Sequence, residues 1–159
     1  MQPRPIESAD HAAILSLNAR FVAVLSPMDG AHLAHLLAQP GWHRAIGPVG
    51  APHAFVLVLR EGADYASANY RWFADRYARF AYIDRVVVAP EARRAGHAAA
   101  LYAGAFTWAR KDVSVIGCEY DIAPPNPASA AFHAAMDFVE VGRQHLPGGK
   151  QVALQARQP

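Results

Sequence analysis

The stretch Val86-Val87-Val88-Ala89-Pro90-Glu91-Ala92-Arg93-Arg94-Ala95-Gly96-His97-Ala98 decides how the rest of the chain is read. It opens as a β-branched run, the composition of a buried strand. Pro90 ends the pairing because it has no N–H to donate. Two arginines and a glycine follow, and from His97 onward the pattern is helical. Strand, basic loop and helix start therefore stand in direct succession. The first turn of a helix presents unpaired N–H groups and the positive end of the dipole, which together favour an anion. Gly96 allows close approach of the backbone, and the Arg93 and Arg94 guanidinium groups suit phosphate. The physical expectation is a cradle for a phosphate or pyrophosphate. Neither G-x-x-x-x-G-K-[ST] nor G-x-G-x-x-G occurs here, so the two familiar phosphate loops do not apply.

Working outward, Tyr82 to Ala89 reads as the strand that feeds the cradle. Strict alternation would put Tyr82, Asp84, Val86 and Val88 on one face. An acidic residue in such a row is either half of a salt bridge or a general base. After the loop, His97 to Arg110 reads as a helix and Val113 to Ile122 as a strand, with Val113, Val115, Gly117, Glu119 and Asp121 on one side. Strand, helix and strand of this length form a right-handed parallel unit. Ala123-Pro124-Pro125-Asn126-Pro127 stops that strand. Asn126 is placed to cap a helix with Pro127 in its first position, and Ala128, Phe132, Ala135 and Met136 form its apolar stripe. Val139 and Val141 begin a further strand, Pro147-Gly148-Gly149 is a turn, and Val152, Leu154 and Ala156 alternate into a last strand.

Before the decisive stretch, Arg4 to Glu7 suits a short strand. Ile14, Leu17, Asn18, Phe21 and Leu25 follow a helical period that Ser26-Pro27 stops. Asp29 caps a second helix containing Leu33, Leu36 and Leu37. Trp42 to Ile46 and the continuous apolar run Ala54 to Leu59 read as strands, the latter buried on both faces. Residues 63 to 81 crowd aromatics among arginines; Tyr70, Phe73, Tyr77 and Phe80 share a helical stripe and Trp72 lies off it. These side chains either pack on the sheet or wall a pocket.

Length and composition fit one domain over residues 1–159, with 53% hydrophobic and 18% charged residues. A net charge of +2 argues against nucleic acid or an anionic membrane as partner. No apolar run is long enough to span a bilayer and no secretory leader is visible at the N-terminus. The single cysteine, Cys118, excludes an internal disulfide and fits a cytoplasmic setting. His32 and His35 stand three apart but lack a third ligand, so no metal is expected.

Two motifs carry a resemblance. Arg93-x-x-Gly96-x-Ala98 after a strand end resembles the pyrophosphate loop [RQ]-x-x-G-x-[GA] of the GNAT superfamily of N-acetyltransferases. Asn126-Pro127-Ala128-Ser129-Ala130-Ala131-Phe132-His133-Ala134-Ala135-Met136-Asp137-Phe138 is similar to that family's N-x-x-[AS]-x-x-[LF]-Y-x-x-x-G-F, with His133 in the tyrosine position and Asp137 in the glycine position. The matched part runs from about residue 82 to 142.

The resemblance implies an α/β (α+β) fold: a mixed sheet of about six to seven strands, splayed between the fourth and fifth and flanked by about four helices. It implies acetyl-CoA as co-substrate, with the pantetheine arm pairing with Val86 and Val88 and the pyrophosphate held by Arg93, Arg94, Ala95, Gly96, His97 and Ala98. Asn126, Ser129 and Phe132 would complete the cofactor site. The implied reaction is direct acetyl transfer to a primary amine of a small or amino-acid-like acceptor. Asp84 is the first candidate base and Glu119 the second, His133 would protonate the leaving thiolate, and Tyr70, Trp72 and Tyr77 would contact the acceptor. The alternatives are a protein N-terminus or lysine as acceptor, or a coenzyme A-binding module without catalysis. A homodimer is common among such proteins.

Overall fold

The apolar run Ala54–Arg60 makes strand β3, and it is buried throughout because helices cover both faces of its sheet. Phe55, Leu57 and Leu59 face one layer of the core; Ala54, Val56 and Val58 face the other. The computed structural model describes residues Met1–Pro159. Its seven-stranded mixed sheet has the order β1-β2-β3-β4-β5-β7-β6. The strands are β1 (Arg4–Pro5), β2 (Gly41–Ile46), β3, β4 (Ala81–Val88), β5 (Ile116–Ala123), β6 (Val139–His145) and β7 (Gln151–Arg157). Helices α1 (His11–Ala19), α2 (Gly30–Ala38) and α3 (Ala68–Ala74) bring Ile14, Leu17, Leu33, Leu36, Tyr70 and Phe73 to the first layer. Helices α4 (His97–Ala109) and α5 (Pro127–Ala135) cover the second, chiefly through Leu101, Tyr102, Ala105 and Phe106. Five helices thus replace the four expected, and none is long and apolar enough to cross a membrane.

All neighbours in the sheet are antiparallel except β4 and β5. Those two run parallel and pair only at Ala81↔Ile116 and Tyr82↔Gly117. Beyond Tyr82 they diverge, so the sheet opens into a cleft, as the resemblance implied.

Three local expectations are corrected. First, the β3–β4 register shifts, with Leu57 opposite Arg85 and Val58 opposite Ile83. Asp84 is the extra residue of a β-bulge, which breaks the alternation. Tyr82 and Val87 therefore face the first layer, while Ile83, Val86 and Val88 face the second. Tyr82, Asp84, Val86 and Val88 do not share a face. Second, α1 ends at Ala19 rather than running to Leu25. Arg20 N–H and Phe21 N–H bond three residues back, to Leu17 and Asn18, which tightens the last turn. The Asn18 side chain then draws in the Ser26 carbonyl at 3.1 Å. Third, the aromatic segment is helical only over Ala68–Ala74, and β5 starts at Ile116 rather than Val113, because Val113 N–H still bonds the α4 carbonyl of Ala109.

Candidate functional site

Each element of the cleft is set by local chemistry. Arg94 (φ 64°) and Gly96 (φ 76°) are both left-handed, so the loop before α4 winds tightly. A Cβ at Gly96 would meet nothing within 4 Å, so the glycine is required by conformation and leaves open space above it. The N–H groups of Arg94, Ala95, Gly96, His97, Ala98 and Ala99 donate to no backbone carbonyl. Consecutive free donors around a left-handed residue form a concave anion site, and the α4 dipole points at it. Arg93 follows the 3-10 turn Pro90–Ala92 and lines the adjoining cavity. Its guanidinium also lies 5.7 Å over the Phe21 ring. Arg93→Ala is expected to weaken acetyl-CoA binding by about 10–100-fold, the worth of a lost charge-assisted hydrogen bond. Calorimetry checks this, with an unchanged melting temperature expected because the side chain supports no core contact.

The cavity between the diverging strands holds about 330 Å³. Val86 and Val88 line it from β4, and Cys118, Glu119, Tyr120 and Asp121 from β5. Asn126 and Ser129 line it from the start of α5. There the Asn126 side chain accepts from Ser129 N–H at 3.2 Å, the cap expected from Asn-Pro. Phe132 does not reach the cavity; it packs edge-on against Tyr102 at 5.1 Å between ring centres.

The three polar residues expected to do chemistry sit in different surroundings. Asp84 is tied on both oxygens. The Tyr65 hydroxyl donates to Oδ1 at 2.6 Å and Arg85 Nε donates to Oδ2 at 2.7 Å. Its side chain is 5% exposed and that of Arg85 2%, so this is a buried ion pair. Glu119 lies across the cleft and accepts from the Tyr82 hydroxyl at 2.7 Å, with the Asn69 side chain also placed against its carboxyl. The residue touches solvent through the cavity, yet protein rings its carboxyl. Burial is the main cause that pushes this carboxyl up to about 8, helped by the nearby Asp84 charge and opposed by the Tyr82 bond.

His133 corrects the expected apolar stripe of α5: it is the buried residue of that helix. Its Nδ1 lies 2.8 Å from the Ser129 carbonyl and its Nε2 2.9 Å from the Tyr102 hydroxyl. The carbonyl can only accept, so Nδ1 carries the proton and Nε2 accepts from Tyr102. Burial lowers the His133 pKa, which keeps the ring neutral. Burial likewise raises Tyr102 well above the usual phenol value.

Tyr70, Trp72 and Tyr77 lie outside the cavity lining. The Tyr70 hydroxyl bonds the Arg60 carbonyl at 2.7 Å, Trp72 covers Gly142 and carries Arg76 at 3.9 Å, and Tyr77 stacks on Phe73. The cavity wall is made instead by Phe21, Val24, Leu25 and Ser26 after α1, by Tyr65, Ser67 and Asn69 before and in α3, and by Leu146, Lys150 and Val152 of the β6–β7 hairpin. None of these belongs to a motif; the segment 63–81, read as a possible pocket wall, supplies Tyr65, Ser67 and Asn69, and the amphipathic run ending at Leu25 leads to the others after α1.

The description "Acetyltransferase (GNAT) family" matches residues 22–138, which contain both motifs and the diverging strands β4 and β5. The chain belongs to the GNAT acetyltransferase family. Solved structures of this fold agree. Ard1 from Thermoplasma volcanium aligns with a TM-score of 0.77 at 14% identity, over 99% of this chain and 96% of that one. The ribosomal-protein-S18-alanine N-acetyltransferase of Escherichia coli aligns at 0.72 and 16% identity, over 99% and 92%. Arabidopsis thaliana NAA60, solved with acetyl-CoA, aligns at 0.73 and 15%, over 98% and 97%. No curated protein matches this GNAT chain by sequence. The fold is that of acetyl-CoA-dependent N-acetyltransferases, and the free donors around Gly96 suit the cofactor's pyrophosphate.

Proposed function

We propose that the chain transfers the acetyl group of acetyl-CoA to the α-amine of an amino-acid-like acceptor, by direct attack in a ternary complex with Glu119 as general base. The observation that carries this reading is the enclosed Glu119 carboxyl at the point where β4 and β5 part. The acceptor ammonium gives its proton to Glu119, and its nitrogen attacks the thioester carbonyl carbon. The carbon–sulfur bond then breaks, the thiolate departs, and the nitrogen sheds its second proton to solvent to leave the neutral amide. The β4 edge beyond Tyr82 has no strand partner, so backbone at Val86 and Val88 is available to the pantetheine arm. A β4 N–H near the bulge would polarise the carbonyl, a device worth about 3–4 kcal/mol.

Proton affinities favour an α-amine. An α-amino group titrates near 8 and a lysine side chain near 10.4. A carboxyl at about 8 takes a proton from the first with no penalty. From the second the transfer runs uphill by roughly 3 kcal/mol. A thiol titrates near about 8.5, so the same proton is acidic enough to reach the departing sulfur, directly or through solvent. No stronger acid is needed, and His133 serves to anchor Tyr102. His133→Phe is therefore expected to cost about 1–3 kcal/mol of stability by stranding the Tyr102 hydroxyl, while turnover stays within about tenfold. A hundredfold loss in a folded variant would make His133 the proton donor.

One observation favours a polypeptide end over a free amino acid. The cavity continues, through Leu25, Ser26 and Lys150, into an open groove between Val22–Pro27 and Pro147–Lys150. Among structural relatives, the NatC complex was solved with a Gag peptide and coenzyme A. Thiol release from acetyl-CoA is the test, with amino-acid amides, short peptides and ε-amines as acceptors. Release with the first two supports the reading. Release with ε-amines only, or binding of acetyl-CoA with no release on any amine, overturns it.

A further inference from the structure

Residues 20–28 connect α1 to α2 without regular secondary structure, and Phe21, Val24, Leu25 and Ser26 of this loop form one wall of the cavity. Such a loop needs an anchor to hold a defined shape. The bulge supplies one. It puts Asp84 and Arg85 next to each other on the face toward α1 instead of on opposite faces. Arg85 is 4% exposed and Asn18 1%, both among the few buried polar residues of the chain. Arg85 Nη1 donates to Asn18 Oδ1 at 2.8 Å and to the Ser26 carbonyl at 3.2 Å. Asn18 Nδ2 donates to the same Ser26 carbonyl at 3.1 Å. On the other side Asp84 fixes the Arg85 fork, and Tyr65, another cavity residue, fixes Asp84. A continuous chain of hydrogen bonds thus runs from Tyr65 through Asp84, Arg85 and Asn18 to the loop. It reaches the wall opposite the hairpin residues Leu146 and Lys150.

We propose that Arg85 and Asn18 are positioning residues for the acceptor, holding the 20–28 loop in the shape that its cavity wall requires. This rests on the reading of the cavity as the acceptor site, and it adds a role that no motif assigns. Arg85 is placed by the bulge to reach across to α1, and its planar fork satisfies three partners at fixed angles, which an ammonium would not. Both polar atoms of the buried Asn18 amide have a partner, its oxygen accepting from Arg85 and its nitrogen donating to the Ser26 carbonyl.

The test uses Arg85→Lys, which keeps the charge beside Asp84 and loses the fork. Asn18→Ala is the second variant, because it leaves the Arg85–Asp84 pair intact should the first fold poorly. Two readouts are taken on the full chain. Amide exchange is followed at Phe21, whose N–H donates to the Asn18 carbonyl at the end of α1, and at Val24 and Leu25, whose N–H groups donate to the Phe21 carbonyl. Steady-state kinetics use alaninamide and a short peptide with a free N-terminus as acceptors. The expected result is exchange about tenfold faster at those amides, with α4 and β3 amides unchanged. The acceptor KM should rise about tenfold while acetyl-CoA affinity stays at its wild-type value. Wild-type exchange at the loop, or faster exchange with an unchanged acceptor KM, overturns the proposal. If wild-type protein acetylates neither probe, the acceptor reading fails, while the exchange result still decides whether the tether shapes the loop.

Discussion

Glu119→Gln is expected to lower turnover by about 10²–10⁴-fold, the usual worth of a general base, with acetyl-CoA affinity unchanged. Glutamine keeps the size of the side chain and can still accept from the Tyr82 hydroxyl, so the fold is retained. The wild-type pH profile carries the same information. A base held at about 8 is mostly protonated at neutral pH, so kcat/KM should rise with pH until it levels above 8. In Glu119→Gln only free amine can react, so the residual limb should follow the acceptor's own amine pKa and move when the acceptor is changed, whereas the wild-type limb stays near 8. A wild-type profile already flat from pH 6 upward would mean that another group takes the proton.

The same carboxyl sets a slope in stability. Its folded-state pKa lies above the ordinary carboxyl value, so between about 4.5 and 8 the folded chain binds the proton that the unfolded chain has released. Stability from this group is therefore complete below 4.5 and is lost as pH rises through about 8. Urea midpoints measured across that window should fall in wild-type protein and fall less in Glu119→Gln.

Asp84→Ala is expected to act on stability first. It removes one partner of an ion pair whose side chains are 5% and 2% exposed. Breaking such a pair costs about 3–5 kcal/mol because the Arg85 charge stays buried without its counterion. For a chain of this length that corresponds to a melting temperature lower by roughly 6–20 °C. The Tyr65 hydroxyl loses its acceptor as well. Asp84→Ala/Arg85→Met removes both charges and should recover part of the loss, the remainder being the cost of leaving Asn18 Oδ1 and the Tyr65 hydroxyl without their partners. Normal stability with abolished turnover in Asp84→Ala would instead make Asp84 the base. Two carboxylates on neighbouring strands thus sit in two environments, one paired with a guanidinium and one held by neutral partners only, Tyr82 and Asn69.

The strand, basic loop and helix start from Val86 to Ala98 were legible because their chemistry is local: β-branching, a proline stop and a left-handed glycine. The Asn126-Pro127 cap was legible for the same reason. The bulge at Asp84 was not, because it is a mismatch in register between β3 and β4, and nothing near Asp84 in sequence marks it. That one residue decides which side chains of β4 face which layer, and so which carboxylate is free. The inward turn of His133 was hidden in the same way, since its partner Tyr102 lies 31 positions away on α4. The aromatics Tyr70, Trp72 and Tyr77 drew attention as a cluster, yet they cover strands and glycines of the sheet. Part of the wall does come from the same segment, through Tyr65, Ser67 and Asn69, but the rest comes from loops with ordinary composition, and its place is set only when the sheet splays.

The central claim is that the gap between β4 and β5, together with the free N–H groups before α4, holds acetyl-CoA with its thioester beside Glu119. A crystal structure with coenzyme A bound tests it most directly. The pyrophosphate is expected on the N–H groups of Arg94 to Ala98, the pantetheine amides paired with β4 at Val86 and Val88, and the sulfur within the cavity that Glu119 lines. Coenzyme A seated elsewhere, or a sulfur directed away from that cavity, would contradict it.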